Sequence, residues 1–180
     1  LRPHASGWEQ RGMTKSGQPT WNWLADRSAR IAYVRLDGFR GGADRAIRLG
    51  LKEAQTQAES AGGRLEGLVL DLRGNGGGQV LIAEEVANLF LRSGTIFRST
   101  DGEDELDDNR ARFSHGELAK MPLVILVDEQ SASASELVAG LLQVRADALI
   151  IGERTFGKGS IQTPLRAFTN DCLVLVTTGW

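Results

Sequence analysis

Ser133, Lys158 and Gln162 are the side chains whose types and spacing suggest chemistry. Ser133 is the middle serine of Ser131-Ala132-Ser133-Ala134-Ser135-Glu136. Lys158 follows 25 positions later, between Gly157 and Gly159, and Gln162 lies four positions beyond it. A serine hydroxyl and a lysine amine are both inert at their free pKa values, and react only when a fold sets nucleophile beside base. Bringing a lysine from its reference value of about 10.4 to about 7–8 disfavours the charged form by roughly 4 kcal/mol, which takes desolvation. By base rate a lysine is solvated at the surface, but the flanking glycines let the backbone at Lys158 come close to a neighbour. The carbonyl oxygen of Gln162 can orient the lysine amine as the third member of such a set.

Other readings compete at each motif. Ser133-Ala134-Ser135-Glu136 fits the S-x-x-E capping box, whose two side chains satisfy amides at a helix start. The same position suits a nucleophile, because free amides and the positive end of the helix dipole favour a developing oxyanion there. A Ser-His-Asp arrangement has little support, since His4 and His115 both fall in polar, irregular sequence. The loop Arg73-Gly74-Asn75-Gly76-Gly77-Gly78 can present bare amides to an anion, or be a plain turn. Gln79 stands where a dinucleotide fingerprint needs its last glycine, and Gly159 stands where a phosphate loop needs a hydroxyl.

These residues need a fold to position them. The chain has 180 residues, 41% of them hydrophobic, enough for one sizeable core. A net charge of −2 gives no sign of a nucleic-acid partner. A single cysteine, Cys172, excludes an internal disulfide framework, and two histidines argue against a multi-histidine metal site. No apolar run approaches the roughly 18–20 residues that span a bilayer. Residues 31–36, 67–72, 123–127, 148–152 and 173–177 read as strands, and 43–60, 81–91 and 136–144 as helices. Strands alternating with helices predict an α/β domain with helices packed on a mainly parallel sheet. Trp21 and Trp23 alternate on an expected strand as packing residues. Asp101 to Asp108 is expected to be a solvated, mobile loop, with selection against charged substrate tails as a lesser reading.

Taken in order, Asp71 to Gly78, Ser131 to Glu136, and Thr155-Phe156-Gly157-Lys158-Gly159-Ser160-Ile161-Gln162 resemble the successive motifs of the C-terminal processing (tail-specific) serine peptidases. The resemblance covers roughly residues 20–178 and includes the strand and helix that begin at Ile31. It implies a crotonase/ClpP-like ββα core with Ser133 as nucleophile, Lys158 as general base and Gln162 supporting the lysine. It also implies an oxyanion hole built from the Ala134 amide and one from Gly77 or Gly78. No metal or organic cofactor is implied. The implied partner is a polypeptide with an exposed C-terminal tail, and the implied place of work is exported, in the periplasm or cell envelope. A non-catalytic, retinoid-binding-like protein on the same fold is the alternative, and the intact Ser133, Lys158 and Gln162 count against it.

Residues 1–22 read as a loosely structured lead-in or a short edge strand, and 23–180 as the catalytic core. The start at Leu1 reads as a cut piece of a longer precursor, with no PDZ-like module visible. The family pattern has proline at the position of Gly76, so the loop is expected to be flexible. The expectation that follows is a weak or silent protease in isolation, with this loop turned away from Ser133 or Lys158 beyond hydrogen-bond reach of it.

Overall fold

The structure, a computed structural model, describes residues 10–13, 19–93, 95–100, 105–110, 118–166 and 173–179. His4, Trp8, His115 and Cys172 lie outside the described residues. Five strands form the central sheet: β3 (Leu24–Asp26), β4 (Ile31–Arg35), β5 (Gly67–Asp71), β8 (Leu123–Val127) and β9 (Leu149–Gly152), ordered β3-β4-β5-β8-β9. The last four run parallel, and β3 pairs antiparallel with β4 at one edge. The sheet is therefore mainly parallel, as the alternation of strand and helix predicts.

Parallel neighbours need long crossovers, and helices supply them. Helix α1 (Ala43–Glu59) lies between β4 and β5, α2 (Val80–Asn88) between β5 and β8, and α3 (Ala134–Arg145) between β8 and β9. On α1 the buried residues Ala43, Ile47, Leu51, Ala54 and Ala58 recur at helical spacing and give it one apolar face. Ile47 and Leu51 each contribute about 1.5–3 kcal/mol by burial. Trp23 seats its ring against Gly50 of this helix, and its indole N–H donates to Glu53 at 2.6 Å. It is a packing residue, and Trp21 packs partly buried against the same core. The two do not share a strand: Trp21 ends β2 (Pro19–Trp21) and Trp23 precedes β3.

Several segments differ from the sequence reading. Where the lead-in allows one short edge strand, two short strands pair antiparallel, β1 (Gln10–Met13) with β2. The acidic stretch is not all loop, because Glu105 to Asp108 lie in β7 (Glu105–Arg110), paired with β6 (Thr95–Thr100). Ladder hydrogen bonds hold that backbone whatever the charge of its side chains. Residues 101–104 lie outside the described residues. Gln162 sits on β10 (Ile161–Arg166), a strand unmarked by sequence pattern that pairs with β11 (Leu173–Gly179). Helix α3 begins at Ala134, two residues earlier than the apolar pattern suggests. The loops that carry the candidate residues leave the carboxyl ends of β4, β5, β8 and β9, the edge where open α/β sheets place their sites.

Candidate active site

Ser133 is the N-cap residue of α3, and its backbone has φ 54 and ψ −116. A non-glycine residue on the positive-φ side is costly, about 1–3 kcal/mol, and survives only where its surroundings hold it there. Here they do so from both sides in sequence. Ser131 is fully buried; its hydroxyl donates to the Leu72 carbonyl at 2.9 Å and accepts the Asp128 amide at 3.0 Å. Ser135 is also fully buried, and its hydroxyl donates to the Asn75 carbonyl at 2.8 Å. That carbonyl also accepts the Ala132 amide at 3.1 Å. The alternation of the three serines thus separates two roles. The outer pair ties α3 and its entry to the loop after β5, and the middle one lines a cavity.

The glycine loop is correspondingly well held. Buried Asn75 donates through Nδ2 to the Leu36 carbonyl at 2.8 Å and accepts the Gly77 amide on Oδ1 at 2.9 Å. The Gly77 carbonyl in turn accepts the Phe39 amide at 3.0 Å. Asp128 Oδ1 accepts the Gly74 amide at 2.9 Å. Gly77 has φ +102, and a Cβ there would lie 2.8 Å from the Ala132 carbonyl oxygen and 3.0 Å from both Ala134 N and Ser133 Cβ. The loop therefore lies against the Ser133 turn, and the expectation of a loop turned away is not met. Buried polar bonds to Asn75 offset the ordering entropy of the glycines.

Among the described residues two amides of these segments have no acceptor: that of Ala134, the first helical amide of α3, and that of Gly78, which lies against Phe39. The Gly77 amide is already committed to Asn75. Under the loop, Asp71 is fully buried, with Arg73 donating to both of its oxygens at 2.9 and 2.8 Å and the Tyr33 hydroxyl donating to Oδ2. Burial raises the Asp71 pKa, but these donors outweigh it and hold the carboxyl below its usual range. Burial and the adjacent carboxylate push the Tyr33 phenol up to about 12.

Lys158 is half-buried, and its Nζ donates to Gln162 Oε1 at 2.9 Å. Ser133 and Lys158 line one cavity of about 460 Å³, with Val80, Ala134, Leu137 and Ile161 among its walls. Among the described residues no hydrogen bond joins Ser133 to Lys158, whose Nζ is engaged by Gln162. The structure brings Ser133, Ala134 and Lys158 to one cavity, with Gln162 bonded to the lysine and Gly77 packed against the serine turn.

Glu136 does more than the capping reading assigns to it. Its Oε2 accepts the Ser133 amide at 2.8 Å, as a capping box requires, and also the Lys158 amide at 2.8 Å. Its Oε1 accepts the Gly157 amide at 2.6 Å, and the Thr155 hydroxyl donates to the same carboxylate. Burial pushes its pKa up, yet the bonds from Thr155, Gly157, Lys158 and Ser133 prevail and leave it below the usual carboxylate range. One carboxylate therefore joins the serine turn to the lysine loop. The Phe156 amide adds a second tie, donating to the Ser131 carbonyl at 3.0 Å. The roles of Ser131, Ser135 and Asn75, and that of Glu136 beyond its cap, escaped the sequence reading, and the alternation of polar and small residues over 131–136 is the signal that marks the first two.

Among the described residues, no three His, Cys, Asp or Glu side chains come together to hold a metal ion. No helix among them is long and apolar enough to cross a membrane.

Comparison with known proteins places these features in context. The model of peptidase family S41 matches residues 30–179. A carboxy-terminal-processing protease from Bartonella bacilliformis is 39% identical over 148 residues, covering 82% of this chain and 33% of the relative. Carboxyl-terminal-processing peptidase 2, chloroplastic, from Arabidopsis thaliana is 35% identical over 136 residues, covering 76% of this chain and 25% of the relative. Among solved structures, the photosystem II D1 C-terminal processing protease superposes with a TM-score of 0.69 at 35% identity, over 83% of this chain and 36% of that one. The chain spans about a third or less of the length of these curated processing proteases.

Proposed function

The chain belongs to peptidase family S41, and from that premise we propose that it carries the catalytic centre of a serine endopeptidase acting near the C-termini of polypeptides. Ser133 Oγ is the nucleophile, Lys158 Nζ the general base, and Gln162 the residue that orients the amine. The reaction begins when neutral Lys158 takes the Ser133 proton as Oγ attacks the substrate carbonyl. The oxyanion is received by the amides of Ala134 and Gly78, with Gly77 shaping the approach. Lys158 returns the proton to the departing amine as the C–N bond breaks, and water then hydrolyses the acyl-enzyme. A bound peptide closes the remaining gap between Ser133 and Lys158, because catalytic hydrogen bonds often tighten only in the Michaelis complex.

The observation that carries this reading is the 2.9 Å bond from Lys158 Nζ to Gln162 Oε1, made by a lysine that lines the same cavity as Ser133. A lysine Nζ held by a side-chain acceptor, in the same cavity as a serine on a strained helix entry, has little structural purpose of its own. The preference for C-terminal tails is carried over from the names of the relatives, as is export from the family resemblance. The reading takes no metal or organic cofactor. The test is hydrolysis of tail-bearing polypeptides with the products mapped by mass spectrometry. Ser133→Ala should abolish cleavage while the fold survives, at a cost of about 0.5–2 kcal/mol for the altered helix cap. Full activity in Ser133→Ala with loss in Ser135→Ala would give the nucleophile to the wrong serine.

A further inference from the structure

Lys158 lines two cavities. The one shared with Ser133 and Ala134 is walled by Val80, Leu137 and Ile161. The other, of about 760 Å³, is lined by Ala132, Thr155, Phe156 and Lys158, with Glu129 and Gln130 at its polar side, and Ser133 takes no part in it. On the peptidase reading above, chemistry decides which half of a substrate each cavity receives. The acyl carbon bonds to Ser133 Oγ and its oxygen turns to the Ala134 amide, so the acyl residue's side chain falls into the first cavity. The amine leaves with the proton that Lys158 Nζ returns to it, and so departs along the other side of the lysine.

We propose that the second cavity is the binding site for the first residue of the leaving peptide, and that Phe156 sets its specificity. The Phe156 side chain is 70% exposed, although its amide is pinned to the Ser131 carbonyl at 3.0 Å. A large aromatic ring beside the base, on a backbone tied to the Ser131 carbonyl, presents a ready face to a passing side chain. The remaining lining residues are small or polar, so the ring supplies the apolar contact. The ligand class is therefore an apolar or aromatic residue. An acidic one is disfavoured by Glu129 on the same wall.

The experiment uses peptides identical on the acyl side that carry Gly, Leu, Phe or Asp as the first leaving residue, with the methyl ester of the same acyl part. Wild type should prefer Leu and Phe over Gly by about 10-fold in kcat/KM, and Phe156→Ala should bring that ratio to within about 2-fold. Phe156→Leu should keep most of the preference and serves as the folding control. Both variants should hydrolyse the methyl ester at the wild-type rate, since it leaves no side chain. An unchanged Leu-to-Gly ratio in Phe156→Ala would overturn the proposal. So would a Phe156→Ala defect equally large on the ester, which would make the ring a support for the base. If wild type cleaves neither ester nor peptide, the peptidase reading itself fails, and this site with it.

Discussion

Two glycine-rich loops build the site, and they are held in opposite ways. The loop after β5, Gly74 to Gly78, is fixed from inside the protein. Its carbonyls and amides bond to the Asn75 side chain, Asp128 and Ser135, and Ser131 holds the Leu72 carbonyl just before it; Asn75, Ser131 and Ser135 are buried. The loop after β9, which carries Lys158, is largely exposed and is tethered from outside by the Glu136 carboxylate and the single backbone bond from Phe156. On the proposed mechanism, the oxyanion side is thus preorganised and the base side hangs on a tether that can be cut. The difference suggests a centre whose charge-stabilising half is permanent and whose proton-transfer half adjusts when substrate arrives.

The comparison can be broken from the rigid side first. Gly77→Ala puts a methyl group 2.8 Å from the Ala132 carbonyl oxygen, in a backbone conformation that alanine rarely adopts. The loop must move away from Ser133. Loss of an oxyanion donor typically costs about 10²–10³ in kcat, and the same loss is expected here, with KM little changed. Steady-state kinetics on a peptide substrate would measure it, and a near-wild-type kcat would show that the loop's position is unimportant.

The tether comes next. Glu136→Gln removes the charge and leaves one carbonyl oxygen in place of two carboxylate oxygens, so the amides of Ser133, Gly157 and Lys158 cannot all be kept. An activity loss of about 10-fold is expected, the effect of roughly one charge-assisted hydrogen bond. Its pH dependence has a definite sign. The folded pKa of Glu136 is depressed, so its contribution is fully present above the ordinary carboxylate range and is lost as pH falls through the folded value. Acid inactivation should therefore be shallower in Glu136→Gln than in wild type, measured as the acid limb of stability against pH. Identical limbs would mean that the carboxylate is not the tether.

The smallest effect is expected at Ser135. In Ser135→Ala the Asn75 carbonyl keeps its bond from the Ala132 amide, so nothing is left unsatisfied. Stability should fall by about 1 kcal/mol and kcat by a few-fold, of the order of one neutral hydrogen bond. A denaturant melt combined with a KM-against-kcat split would separate a positioning effect from a plain loss of stability, since the latter leaves kcat per folded molecule unchanged.

The frame that positions these loops was legible because its signals are local. Periodic apolar residues marked α1, and short β-branched runs marked β4, β5 and β8. The apolar run at 148–152 was legible as a strand but not in its surroundings, for Leu149 and Ile151 on β9 remain 59% and 48% exposed. β10 was hidden because Pro164 within it reads as a strand breaker, although its partner β11 lies only on one side. Glu136 was legible as a cap and not as a tether, because the amides it accepts come from a loop about twenty residues away. The glycine loop looked flexible for a related reason: two of its anchors, the Asp128 carboxylate and the buried Ser135 hydroxyl, are distant in sequence, and composition carries no trace of them.

Whether the adjustable half does proton transfer is tested most directly by Lys158→Arg. Arginine keeps the charge and much of the length but holds its proton under all working conditions. The measurement is the rate of fluorophosphonate labelling of Ser133 in wild type and in Lys158→Arg, at matched folding. Prompt labelling of the wild type and none of the arginine variant is the predicted result; equal labelling of both would remove Lys158 from the role of base.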